Sequence, residues 1–501
     1  MKRINILLTA LALIFATSCD SFLDVKPSNQ VDSESSIQNA SDAQIMLQGL
    51  MNKLTSSSYY GRNFLIYGDA KGGDVTTYSA GNGGDAWYYF THEQTSNAYT
   101  SYWSTMYNCL LQANNIIKNI NALKEGGATG LDDYLGQALT VRALIHFDLV
   151  RLYGKPYNMS GAPASYGVPV VTEPLDASAQ LLRNTVEEVY TQVLADLNAA
   201  APLLGKSKKN GFINYYANQA ILSKVYMYMD NFTQALTIAE NIINDGPYKA
   251  YEPSEWVASW TRTFGNESIF ELNVLVNEGD LGTGSPGCYY RRRAHGISAG
   301  GVFLASKYWF EIMDKDDVRW GIMDSDQSDE DDATGRKGAC YKYSGSTKLG
   351  GDGKENSTAV NIKVIRLSEV LLNAAEAAVR TNNQAKAKEY LSVVAKRNPN
   401  WEAPATITVE DIMTERRREF LTEGIVFFEQ MRMDMTVYYE DDAFQRGTNP
   451  PASGRGQLRT TLANGEEVCP VTRNWFKTIL PIGQDEINAN PAIEKQQNPG
   501  Y

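Results

Sequence analysis

Two segments of this chain, 217–245 and 367–397, follow one plan, and that plan limits the possible fold more than any other feature. In the first, a helical run reaches Met229, breaks at Asp230-Asn231 and resumes with Ala235, Ala239 and Ile243. In the second, Ala374, Ala375 and Ala378 precede a break at Asn382-Asn383, followed by Ala387, Leu391 and Val394. Small residues at helical spacing suit close helix crossings, and the polar pair between them suits a tight turn. A helical hairpin of this kind cannot cover its own apolar face, so it needs neighbours of the same type.

Both units resemble tetratricopeptide repeats, without the Trp and Gly of that consensus. Helical periodicity recurs elsewhere, at Met106, Leu110, Ala113, Ile116, Ile117 and Ile120, and again at Leu135, Leu139, Ala143, Phe147 and Val150. Asn184-Thr185-Val186-Glu187-Glu188 predicts a capped helix start, with Val189, Val193, Leu194 and Leu197 on one face and a stop near Pro202 or Gly205. The expected fold is all-α and mainly helical. A single body over 39–501 carries helical repeats at about 97–245 and 366–439. Segments 61–101, 279–301 and 324–361 are rich in Gly, Ser, Asn, Asp and aromatics and lie outside the helical period. Long loops on a rigid scaffold are where function is expected.

The N-terminus carries a targeting signal. Lys2 and Arg3 precede an apolar run from Ile4 to Phe15, then Ala16-Thr17-Ser18-Cys19. This pattern predicts a lipoprotein signal peptide over 1–18, with Cys19 as the lipid-bearing first mature residue and 19–38 as a polar tether. Ala16 stands where a lipobox usually has Leu, so ordinary secretory cleavage near Ser18 is the alternative. Either cleavage removes Lys2 and Arg3 and no acid, taking the formal charge from -12 to -14. So acidic a chain is a poor partner for nucleic acid. Cys109, Cys288, Cys340 and Cys469 are far apart and form no C-x-x-C pair, so neither a zinc ribbon nor a dense disulfide framework is suggested.

Several blocks, in order, carry a family resemblance. They include Val141-Arg142-Ala143-Leu144 with Leu152-Tyr153-Gly154, Gly167-Val168-Pro169-Val170, and Asn266-Glu267-Ser268-Ile269-Phe270-Glu271. Further blocks are Arg366-Leu367-Ser368-Glu369-Val370, Glu415-Arg416-Arg417-Arg418-Glu419-Phe420 with Glu423-Gly424, and the terminal Asn498-Pro499-Gly500-Tyr501. Together they resemble the SusD/RagB outer-membrane lipoproteins across nearly the whole mature chain. The resemblance implies tetratricopeptide-like hairpins on one side and a loop-rich ligand face on the other. It also implies a surface-exposed protein that binds a glycan without breaking bonds and passes it to a SusC-like TonB-dependent outer-membrane transporter. A binder of peptide-derived nutrients and a structural assembly lipoprotein are the alternatives.

A pyranose shows an apolar C–H face and a rim of hydroxyls, so its site needs exposed aromatic rings beside polar groups. Trp87-Tyr88-Tyr89-Phe90 follows Gly81-Asn82-Gly83-Gly84-Asp85 and fits that need. If the segment is extended, its successive rings alternate and at least one is exposed. The family resemblance favours Trp87 and Tyr89; the structural alternative has Trp87 plugging the loop onto the scaffold. The second candidate is Cys288-Tyr289-Tyr290-Arg291-Arg292-Arg293. Tyr289, Tyr290, Arg291 and Arg292 would there face ligand, with a solvated charged loop as the plain alternative. Trp103, Trp309 and Trp320 fall in helical patterns and are expected to pack.

Signals for catalysis are weak. Gly296-Ile297-Ser298-Ala299-Gly300 matches a nucleophile elbow, but no apolar strand precedes it. Three histidines, His92, His146 and His295, do not suggest a metal site. Asp324-Ser325-Asp326-Gln327-Ser328 resembles the start of a calcium loop, yet Gly335 stands where an EF-hand requires Glu. The expectation is a protein that is not an enzyme and has no cofactor, with weak calcium binding left open.

Overall fold

The computed structural model describes residues 37–77, 85–88, 90–95, 97–176, 178–291, 300–325, 337–343, 358–438, 460–461, 467–468 and 470–501. The signal peptide, Cys19 and nearly all of the tether lie outside these residues, as do Tyr89, Arg292, the elbow serine Ser298 and most of the acidic loop after Ser325.

The chain folds mainly into helices. They are α1 (Ala40–Leu54), α2 (Asn63–Ala70), α3 (Asp85–Tyr88), α4 (Asn97–Glu125), α5 (Asp132–Tyr153), α6 (Val186–Ala200), α7 (Tyr215–Tyr228), α8 (Phe232–Asp245) and α9 (Pro253–Ser259). After these come α10 (Pro286–Tyr290), α11 (Lys307–Ile312), α12 (Leu367–Arg380), α13 (Gln384–Ala395), α14 (Val409–Glu419), α15 (Val426–Arg432) and α16 (Gln484–Ala489). Among the described residues the strands of three or more residues are β1 (Val75–Thr77), β2 (Ser268–Leu272), β3 (Phe303–Ala305) and β4 (Ile362–Arg366). Both pairings among them, β1 with β3 and β2 with β4, are antiparallel. Among the described residues no helix is long and apolar enough to cross a membrane.

Helices α1, α4, α5, α6, α7 and α8 stack in chain order, and α12 then packs along α8 and continues the stack through α13 and α14. The two look-alike hairpins are thus neighbours in space. Their turns place Asp230 and Asn382 in the left-handed region, at φ 55° and 59°. Short polar side chains tolerate that conformation best among non-glycine residues. The next residue in each turn, Asn231 or Asn383, caps the following helix. The predicted capped start of α6 is a capping box formed by Thr185 and Glu188, and the helix bears Val189, Val193 and Leu197 on its buried face and ends before a single 3₁₀ turn at Ala201–Leu203.

Polar residues of α14 organise the junction between this stack and the loops. Arg319 donates to Asp317 Oδ2 at 2.7 Å and Glu415 Oε1 at 2.6 Å. Arg366 reaches Glu419 Oε1 at 2.9 Å and Glu423 Oε1 at 2.8 Å, and pairs with Glu267 at 3.1 Å. Arg397 joins Glu267 to Glu419. These side chains are all buried. A second buried cluster pairs Arg416 and Arg432 with Glu376 and Glu429. Burial alone would raise the Glu419 carboxyl; Arg397, Arg366, Arg319 and Lys342 together hold it well below the ordinary carboxylate range. Charge is affordable here only because each carboxylate meets guanidinium or ammonium donors directly.

Trp103, Trp309 and Trp320 pack as expected. Trp103 stands edge-on to Tyr153 at 5.0 Å, and Trp320 stacks on Phe310 at 5.6 Å with Trp309 against both. Cys109, Cys288 and Cys340 are buried free thiols, and Cys469 lies outside the described residues.

Candidate functional site

The three loop regions, scattered along the sequence, meet in the folded chain. Strand β1 from the first pairs with β3 just beyond the second, Val75 opposite Ala305 and Thr77 opposite Phe303. Ser306 reinforces the join, its N–H donating to Asp74 O at 2.9 Å and its hydroxyl to Gly73 O at 2.8 Å. The third region enters where Ala305 N–H donates to Gly338 O at 2.8 Å and Arg291 Nη1 donates to Tyr343 O at 3.0 Å. Backbone pairing between segments that carry no common local signal thus builds one face from three loops.

Within this face the aromatic residues singled out from sequence divide sharply. Segment 85–88 is one turn of helix, not an extended strand, so the alternation argument fails. Trp87 is 3% exposed, its ring 6.0 Å from that of Tyr102, and Tyr88 is also buried. Both are corrected from ligand contacts to packing residues: a helical turn at the foot of α4 turns both rings into the core. Nearby Phe90 covers Lys71, whose Nζ lies 4.6 Å from the Phe90 ring centroid and 4.4 Å from that of Tyr67. Burial first, and Lys477 second, lower the Lys71 ammonium well below its ordinary range.

Tyr290 and Arg291 also turn inward. The Tyr290 hydroxyl donates to Asp69 Oδ2 at 2.6 Å, and Arg291 Nη2 approaches Cys288 Sγ at 3.3 Å. Arg291 is fully buried and Tyr290 1% exposed, so neither presents a surface for ligand. They are braces between loops. Desolvation is the dominant influence on Asp69 and pushes its carboxyl up to about 8, against the lowering effect of the Tyr290 and Gly424 hydrogen bonds and of Lys342. Gly424 N–H donates to Asp69 Oδ1 at 3.0 Å, which ties the turn after α14 to the same carboxyl.

Among the described residues of the second aromatic candidate, Tyr289 is the one that stays half-exposed. The Arg62 guanidinium, also half-exposed, lies 5.2 Å from its ring centroid, and Arg62 Nε donates to Asn63 Oδ1 at 2.8 Å. The segment leading into α10 is held by Asp280, which accepts from Gly282 N–H at 2.8 Å and from the Thr358 hydroxyl at 2.9 Å. Arg62, Asp280 and Thr358 were not legible from sequence. No local motif marks them, since each acts through a residue far away in the chain. An aromatic ring with a guanidinium held over it sets apolar surface beside hydrogen-bond donors, the combination a hydroxylated ring requires. Among the described residues no group of His, Cys, Asp and Glu is arranged to hold a metal ion.

A scaffold of helical hairpins with one face assembled from long loops defines a tetratricopeptide-like helical protein. Two family patterns together span the described body: one described as starch-binding and associating with the outer membrane matches residues 21–227, and that of the SusD family matches 196–501. The chain belongs to the SusD family. It is 23% identical over 497 residues to SusD-like protein P38 of Formosa agariphila, covering 87% of this chain and 93% of that one. A SusD superfamily protein from Bacteroides thetaiotaomicron superposes with a TM-score of 0.79 at 31% identity, covering 92% of this chain and all of the other. Surface glycan-binding protein A from Bacteroides uniformis shares the fold, with a TM-score of 0.68 at 21% identity over 91% of this chain and 99% of its own.

Proposed function

We propose that this protein is a non-catalytic, surface-exposed lipoprotein of the outer membrane, anchored through Cys19, that binds oligosaccharide or polysaccharide and delivers it to a SusC-like TonB-dependent transporter. The observation that carries this reading is the convergence of three loop regions around a half-exposed Tyr289 bearing Arg62, on a SusD-family scaffold. Membership in a family described as starch-binding and outer-membrane-associated supports the glycan and the location. The N-terminal sequence supports the anchor. In this reading the ring gives the sugar an apolar platform and the guanidinium donates to hydroxyls, with no bond made or broken.

The test is native affinity electrophoresis of the lipid-free chain, residues 20–501, through gels containing a broad panel of polysaccharides. Retardation by at least one glycan, lost in Tyr289→Ala, is the expected result. Folded protein that no glycan retards would overturn the reading and turn attention to peptide ligands.

A further inference from the structure

A groove outside the loop face runs between one stripe of α4 and the segment 172–174. Its lining includes Ile117, Lys118, Asn121, Glu125, Glu173 and Pro174, and it is open to solvent on one side with a volume of about 430 Å³. That is within the roughly 300–1,000 Å³ of ordinary ligand sites.

One wall of this groove is held from beneath by buried polar side chains. Asn114 Nδ2 donates to Val171 O at 3.0 Å and Glu173 O at 3.2 Å. Arg142 Nη1 donates to Thr172 O at 2.9 Å and to Asn114 Oδ1 at 3.0 Å, while its Nε and Nη2 grip Asp196 at 2.8 and 2.6 Å. His146 accepts from Val171 N–H through Nε2 at 3.1 Å and donates from Nδ1 to Arg142 O at 3.0 Å. Burial lowers the His146 imidazole to about 3, so it stays neutral and keeps both bonds near neutral pH. Asn114, Arg142, His146 and Asp196 are all buried. The carbonyls of 171–173 and the Val171 N–H are therefore bonded inward, and the side chains of Thr172 and Glu173 are left exposed over the groove. A wall fixed in this way is pre-organised for a ligand.

The lining decides the ligand class. A sugar hydroxyl both donates and accepts, and the groove offers donors at Lys118 and Asn121 and acceptors at Asn121, Glu125 and Glu173. Unlike the loop face the groove has no aromatic ring in its lining, so Pro174, with the largely buried Ile117 behind it, offers ring C–H groups only a small apolar surface and the polar groups carry the recognition. Lys118, Asn121 and Glu125 lie on one stripe of α4 spanning roughly 10 Å of helix axis. Two carboxylates against one ammonium leave the groove net negative, which repels uronates and sulfated sugars. We propose that this groove is a second saccharide site, separate from the loop face, that takes short neutral oligosaccharides. The proposal rests on the glycan-binding reading but not on Tyr289.

The experiment is titration calorimetry of the lipid-free mature chain, of Tyr289→Ala and of the double variant Glu125→Ala/Glu173→Ala. Probes are maltohexaose, cellohexaose, laminarihexaose and mannohexaose, with hexagalacturonate as the anionic comparator. At least one neutral hexasaccharide should bind the parent at two sites. The double variant should lose one site or weaken it at least tenfold, with an unchanged urea midpoint because both residues are exposed. An unchanged isotherm for the double variant overturns the groove while the loop-face reading stands. If Tyr289→Ala binds as the parent does and the double variant does not bind, the groove stands and the loop face falls. Binding of hexagalacturonate alone overturns the neutral ligand class, and binding of no probe overturns the groove.

Discussion

The Tyr290 hydroxyl donates to Asp69 Oδ2 at 2.6 Å, and this one contact fastens the second loop region to the end of α2 across 221 positions of sequence. Asp69 holds Gly424 N–H with its other oxygen. A single carboxyl therefore joins α2, α10 and the turn after α14, and its protonation state matters to all three.

Stability should fall with rising pH because of this group. With a folded-state value near 8 against about 3.9 for an unfolded Asp, the native chain holds a proton that the unfolded chain has released. The contribution is complete below about pH 4, declines by roughly 1.4 kcal/mol per unit through the window, and levels off above about 8. Asp69→Asn should flatten this slope. Urea midpoints at pH 6 and pH 8.5 check it: the parent should lose more between them than the variant.

Breaking the buried cluster should cost far more than a surface ion pair. Arg366→Ala leaves Glu419, Glu423 and Glu267 short of a cation, and the expected loss is about 3–5 kcal/mol in chemical denaturation. The depressed Glu419 carboxyl adds a pH signature. Its contribution is present above the unfolded glutamate value and is lost as pH falls below it, so acid should unfold the parent with proton uptake at this cluster.

Trp87 and Tyr289 should separate stability from binding. Trp87→Ala removes a buried ring from the core and is expected to cost about 3–5 kcal/mol. Tyr289→Ala removes a half-exposed ring, so thermal unfolding should change little while glycan affinity falls at least tenfold. Differential scanning calorimetry alongside affinity electrophoresis distinguishes the two.

Gly424→Ala should be destabilising by more than about 2 kcal/mol. The residue sits at φ 71°, and a β-carbon there would lie 2.5 Å from Leu65 Cα in α2. Backbone, not a flexible side chain, blocks the space. A urea titration of the variant measures the loss, and loosening of the Asp69 junction should appear as faster hydrogen exchange at Gly424.

Helices, caps and turns were legible because they are local. The Thr185 capping box, the polar turns at Asp230-Asn231 and Asn382-Asn383, and the packing roles of Trp103 and Trp309 all follow from residues within a few positions of one another. The family blocks were legible for a related reason. Glu415, Arg416 and Glu419 lie together in sequence, although the partners that explain them, Arg319, Arg366, Arg397 and Glu376, lie elsewhere in the chain.

Which aromatic residues face outward was decided only by the tertiary structure. Trp87 and Tyr289 sit in similar aromatic, glycine-rich sequence, yet one is core and the other half-exposed. A ring's exposure depends on what the rest of the chain places over it. For Trp87 that includes Tyr102, and for Tyr290 it includes Phe303 and, at the hydroxyl, Asp69. The sequence by itself determined the helical scaffold and the family, because periodicity and ordered motifs survive being read one segment at a time. The loop face, with Arg62 over Tyr289 and three loops joined by β1 and β3, came from long-range contacts that no local pattern encodes.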